Sequence, residues 1–126
     1  MAKNLKYWYL GTEYTKYPQG IEAAYEMACQ QAAQLLKHGI ITFCPIAHSH
    51  GISLKEGLDS IDGAFWAMAD EPFLHNAYGL IVVMTPTWRT SSGLEHEIRE
   101  FQLAFKPIRF KIPESPAILE TIPRGY

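Results

Sequence analysis

Apolar residues along this chain change spacing several times, and each change marks an element. Residues 5–10, LKYWYL, are aromatic-rich and stop at Gly11, which reads as a strand. After Pro18 the apolar positions Ile21, Ala24, Tyr25, Ala28, Ala32, Leu35 and Leu36 recur at helical spacing, and Gly39 supplies a C-terminal cap. IITFC is a short apolar run closed by Pro45, read as a buried strand. Residues 46 to about 60 show no period and are expected to form a long loop. Residues 60–78, SIDGAFWAMADEPFLHNAY, read as a helix interrupted at Pro72. GLIVVMT, residues 79–85, is apolar throughout, as a strand covered on both faces should be. A helix is expected over residues 92–105, with Leu94, Ile98, Phe101 and Phe105 as its core stripe, and then a strand at IRFKI. The tail from Pro113 holds three prolines and room for one helical turn at SPAILE.

Strands separated by helices predict an α/β fold: a single doubly wound parallel sheet of four to five strands, flavodoxin- or Rossmann-like. Ligands of such sheets bind beyond the carboxyl ends of the strands, where strand order reverses. The loops at that edge are residues 11–19, 45–59 and 85–92. The third opens PTWRTSSGLEHEIREF, a Ser/Thr-rich loop running into a helix with Glu95, Glu97 and Glu100. At about 100° per residue, Glu97 lies roughly 60° from the centre of the apolar stripe, whereas Glu95 and Glu100 lie about 100° and 120° away. Glu97 is therefore the carboxylate aimed toward a site. Ser91 or Ser92 can cap the helix, Gly93 leaves room for a ligand, and the free N–H groups suit an oxyanion. A position near the helix N-terminus is expected to keep Glu97 ionised, while Asp70, following an apolar helical segment, is expected to hold a proton more readily.

Composition narrows the class. With 126 residues, 48% of them hydrophobic, the chain reads as one domain over 1–126 with a core of its own. A net charge of -2 gives no basic field for nucleic acid. No apolar run approaches the roughly 18 residues needed to cross a bilayer, so no membrane partner is expected. The opening MAKNLKYWYL is too polar for a leader, and Cys29 and Cys44 read as reduced core residues, which together suggest a cytoplasmic protein. His48 and His50, in HSH, are read as loop residues that touch substrate or brace the loop rather than as metal ligands, since no convincing second ligand pair follows. No metal and no cofactor are expected. Trp88 lies in the third loop and could stack on a ligand ring. His38, His75 and His96 read as surface residues.

YWYLGT and ADEPFLHNAYGLIVVMTPTWRTSSGLEHEIREF resemble, over roughly residues 7–107, the nucleoside 2-deoxyribosyltransferase superfamily, which includes the nucleoside 5'-monophosphate N-glycosidases. FCPIAHSHGIS with TPTWRTSSG is most similar to a small branch of it. The resemblance implies cleavage or transfer at an N-glycosidic bond of a nucleoside or nucleotide. Glu97 would be the nucleophile, Asp70 the carboxyl that assists departure of the base, and Tyr9 the group orienting the nucleophile. Gly11, Thr12, Glu13, His48, His50, Trp88, Arg89, Ser91, Ser92 and Gly93 would contact substrate. Ser91 falls where the monophosphate hydrolases carry a phosphate-binding serine, whereas Glu13 falls near a phosphate-binding hydroxyl and argues against phosphate. The resemblance also implies a homodimer or larger homo-oligomer, expected through the helix of residues 60–78. The reading from another class is a module that binds or senses a nucleotide without turning it over.

Overall fold

The computed structural model describes residues 5–126; residues 1–4, the start of the segment judged too polar for a leader, lie outside the described residues. Strands β1 (Trp8–Gly11), β2 (Thr42–Phe43), β3 (Gly79–Val83) and β4 (Ile108–Lys111) form one sheet in the order β2-β1-β3-β4, parallel throughout. The fold class is thus the expected α/β architecture with four strands. From β1 the chain crosses to β2 on one side and then returns to β3 on the other, so strand order reverses between β1 and β3.

Helices cover both faces. Helix α1 (Ile21–Lys37) packs on one face, where Leu10, Ile81 and Val83 meet Met27, Ala28 and Leu35. Helix α4 (Ser92–Leu103) packs on the other, where Tyr9, Leu80 and Val82 meet Leu94 and Phe101. Alternate residues of β3 feed the two cores, and all five of its residues are buried, the property its unbroken apolar run implies. Gly79 lies where β3 crosses Trp8: an added Cβ would sit 2.6 Å from the Pro107 carbonyl oxygen and 2.7 Å from the Trp8 ring.

Four features differ from the sequence reading. Residues 46–60 are not one long loop, because Pro45–Ser53 forms helix α2. Its buried positions Pro45, Ser49 and Ser53 recur at intervals of four, but two of the three are serines, so no apolar period betrays the helix. Helix α3 (Gly63–Asn76) runs through Pro72 without interruption. Pro72 and Met68, whose carbonyl loses its partner, are exposed, so water can satisfy that group. Helix α4 ends before Phe105, which takes a left-handed backbone (φ 57°) and is 96% exposed rather than in the core stripe. The tail forms no helical turn at residues 115–120; Leu119 instead pairs with Phe110 in an antiparallel bridge.

Candidate functional site

A cavity of about 210 Å³ lies beyond the carboxyl ends of β1 and β2, at the reversal of strand order. Its wall draws on the segment after β1, on α2, on α3 and on the start of α4. Tyr9, Asp70 and Glu97, far apart in sequence, all line it, as do Thr12, His50, Ser91, Ser92 and Gly93.

Local sequence explains each placement. Ser91 caps α4 by accepting a hydrogen bond from the Leu94 N–H at 3.2 Å, which leaves Ser92 and Gly93 in the first turn at the cavity wall. Gly11 ends β1 directly behind Glu97. An added Cβ there would sit 2.8 Å from Glu97 Oε1 and 2.8 Å from Leu94 Cδ2, so this backbone has to approach α4 without a side chain. Asp62 caps α3 through the Phe65 N–H at 3.2 Å, and α3 carries Trp66 and Asp70 to the same cavity.

The electrostatics reverse one expectation. Glu97 is raised from 4.5 to about 8, chiefly by burial and also by the Asp70 charge, with only the neighbouring Tyr9 hydroxyl acting to lower it. Asp70 rises from 3.8 to about 6, again chiefly through burial, with His48 and Ser49 opposing. Glu97 is therefore the stronger proton holder of the two, against the expectation that the helix N-terminus keeps it ionised. Desolvation exceeds the dipole, which fades beyond the first turn. Between about pH 6 and pH 8 the pair holds one proton. Burial, with the Glu97 and Asp70 charges adding, also pushes the Tyr9 hydroxyl far above the ordinary tyrosine range, so it remains a donor.

Two hydroxyls add unspent capacity. Thr12 Oγ1 and Ser49 Oγ are buried without a closed hydrogen bond, and both residues line the cavity. Ser49 is close enough to Asp70 to favour its ionised form, yet it completes no hydrogen bond. Buried groups of this kind are normally satisfied, which marks positions where a polar ligand would bond.

Not every expected residue reaches the cavity. Glu13 is buried and turned into the wall, where Thr85 and Thr87 hydroxyls donate to its carboxylate. Trp88 is buried against Phe110, with its Nε1 donating to the Tyr126 carbonyl at 3.0 Å. Arg89 stacks on Trp88 and donates to the same oxygen. His48 is exposed on α2 and packs against Phe43 and Phe73, within charge range of Asp70. His50 lies on helix rather than loop and is buried. Sequence reasoning missed Tyr14, Ser49, Ser53 and Trp66, and it placed His96 on the surface, where it is exposed but also borders the cavity. The interval of four from Pro45 through Ser49 to Ser53 was the one available signal.

Among the described residues, no group of three or more His, Cys, Asp or Glu side chains is placed to hold a metal ion, and no helix is long and apolar enough to cross a membrane.

Fold and site together define an α/β protein with one parallel sheet and a carboxyl-bearing cavity at its topological switch point. By sequence the chain belongs to the family described as "Domain of unknown function (DUF1937)", which matches residues 6–111. No curated protein matches it.

Proposed function

We propose that the cavity cleaves or transfers at the N-glycosidic bond of a nucleoside, with Glu97 as nucleophile, Asp70 as the acid that protonates the departing base, and Tyr9 orienting Glu97. The observation that carries this reading is one cavity lined by two carboxyls that between them hold a single proton near neutral pH. Breaking the bond builds positive charge on the sugar, which an ionised carboxylate traps, while the leaving group needs a proton from a second acid. The singly protonated pair supplies both once the proton that rests on Glu97 has passed to Asp70, which leaves Glu97 ionised to attack and Asp70 protonated to serve the leaving base.

The lining favours a nucleoside over its monophosphate. Among the described residues, no lysine or arginine lines the cavity, and Arg89 is held elsewhere by Tyr126. The first turn of α4 would hold a 5'-hydroxyl through Ser92 and Gly93. The testing experiment incubates the protein with matched nucleosides and 5'-monophosphates and follows free base by chromatography. Base release from a nucleoside, abolished in Glu97→Gln, supports the reading. Binding without any release would make the protein a binding module instead.

We further propose a homo-oligomer formed through α3, in a cytoplasmic protein. Among the described residues, no residue of α3 is fully buried, although Met68 and Phe73 are exposed along it and Ile61 just before it. A second copy there would cover an apolar surface and close the cavity's outer wall. Cys29 and Cys44 are unpaired, as a reducing compartment would leave them. Sedimentation at micromolar concentration tests the assembly; a monomer would refute it.

A further inference from the structure

Tyr14 and His50 both line the cavity, and they belong to a hydrogen-bonded chain that leads out to the surface. The Tyr14 hydroxyl lies 2.7 Å from His50 Nδ1, and His50 Nε2 lies 2.9 Å from Glu22 Oε1. His50 is 4% exposed and stacks on Tyr25 with ring centroids 4.6 Å apart, so its ring is fixed. Glu22 is exposed at the far end.

The order of partners sets the direction of each bond. A carboxylate can only accept, so in the neutral form of the imidazole the proton lies on Nε2. Nδ1 is then an acceptor, and the Tyr14 hydroxyl donates its only proton to it. Tyr14 lines the cavity, and with its proton committed to His50 its hydroxyl has only lone pairs to offer a ligand.

We propose that Tyr14, locked by His50 and Glu22, is an acceptor-only subsite that selects bases bearing an exocyclic amine over their carbonyl counterparts. This rests on the nucleoside reading: on a base whose sugar sits against Glu97, the outermost donor is such an amine. A carbonyl in its place leaves two acceptors facing each other, and the mismatch costs about tenfold or more in affinity.

The test has two arms. Nitrogen-15 shifts of the His50 ring at pH 7.5, in the wild-type protein, report its tautomer without any ligand; a protonated Nε2 and a bare Nδ1 are expected. An imidazolium, or a proton on Nδ1, overturns the proposal. Calorimetric titration of the Glu97→Gln protein, which prevents turnover, compares 2'-deoxyadenosine with 2'-deoxyinosine and 2'-deoxycytidine with 2'-deoxyuridine. The amine-bearing member of at least one pair should bind about tenfold tighter. Adding Tyr14→Phe, which removes the accepting oxygen, should collapse that preference. Equal weakening of both members would mean a merely structural role and overturn the proposal. If no nucleoside binds, the nucleoside reading fails and the amine selection falls with it, while the tautomer stands or falls on the shifts alone.

Discussion

Glu97→Gln should make the protein more stable at alkaline pH and leave it nearly unchanged at acid pH. The folded carboxyl titrates near 8 and the unfolded one near 4.5. With a raised folded value, the native state binds the proton more tightly. Stability is therefore full below about pH 4.5, declines as pH rises through the interval, and reaches its floor above about pH 8. At about 1.4 kcal/mol per pH unit, the interval bounds the loss at ~5 kcal/mol. Water entering the cavity eases the burial of the anion, and about 2–3 kcal/mol is expected. Glutamine has nearly the same shape and never carries the charge, so it recovers that amount above pH 8 and almost none at pH 5. For 126 residues, an unfolding entropy of about 0.26 kcal/mol/K turns 2–3 kcal/mol into a rise in Tm of roughly 8–12 °C. Thermal melts at pH 5 and pH 9 on both proteins provide the measurement. Asp70 still titrates near 6 through its own burial, so the variant should keep a shallow decline at lower pH. An equal change in Tm at the two pH values, or destabilisation at pH 9, would refute the claim that the half-buried Glu97 is a proton holder.

Further expectations concern the same site. Base release should follow a bell-shaped pH profile with limbs near 6 and 8, because activity requires one carboxyl ionised and the other protonated; a profile flat across both values would separate the pair from the chemistry. Gly11→Ala forces a Cβ to within 2.8 Å of Glu97 Oε1 and Leu94 Cδ2, so it should cost about 1–3 kcal/mol by denaturant melts and lower base release as the carboxylate shifts. Ser91→Ala removes the α4 cap and should cost about 1 kcal/mol. Since Ser91 spends its oxygen on Leu94, that variant should weaken a nucleoside and its monophosphate to the same extent; a selective loss of the monophosphate by titration would restore a phosphate role.

The parts of this fold that were readable are those whose burial is apolar and local. β3 announced itself because both of its faces are covered by helices, and α1 and α4 because each buries one apolar stripe. Helix α2 was hidden because its inward positions are largely serine and histidine lining a cavity, which leaves no apolar period to read. Glu97 was legible as the residue bordering a core stripe, and Asp70 and Tyr9 through the resemblance. Their proton balance was not legible, since the burial of Glu97 depends on Gly11 behind it and on α3, two elements distant in sequence. The Tyr14–His50–Glu22 chain joins residues 36 and 28 positions apart, and no spacing rule reaches that far.

The remaining question is why a helix start suited to anions precedes a carboxyl that resists ionisation. Glu97 sits five residues beyond Ser92, the first residue of α4, past the turn in which the dipole is worth about 0.3–1 kcal/mol. Its burial outweighs that, so the proton rests on Glu97. In the proposed reaction, that unfavourable anion becomes the driving element. A sugar developing positive charge at C1' is the partner the buried carboxylate lacks, and their attraction is strong where water is scarce. Holding the 5' end at Ser92 and Gly93 fixes C1' against the carboxyl without placing another charge beside it. The helix start then positions the substrate, and the site one turn deeper keeps its carboxylate poorly solvated until the cation forms. A phosphate at the same helix start would bring a second anion into a cavity that already carries two carboxyls, and the absence of lysine and arginine among the described lining residues leaves nothing to balance it.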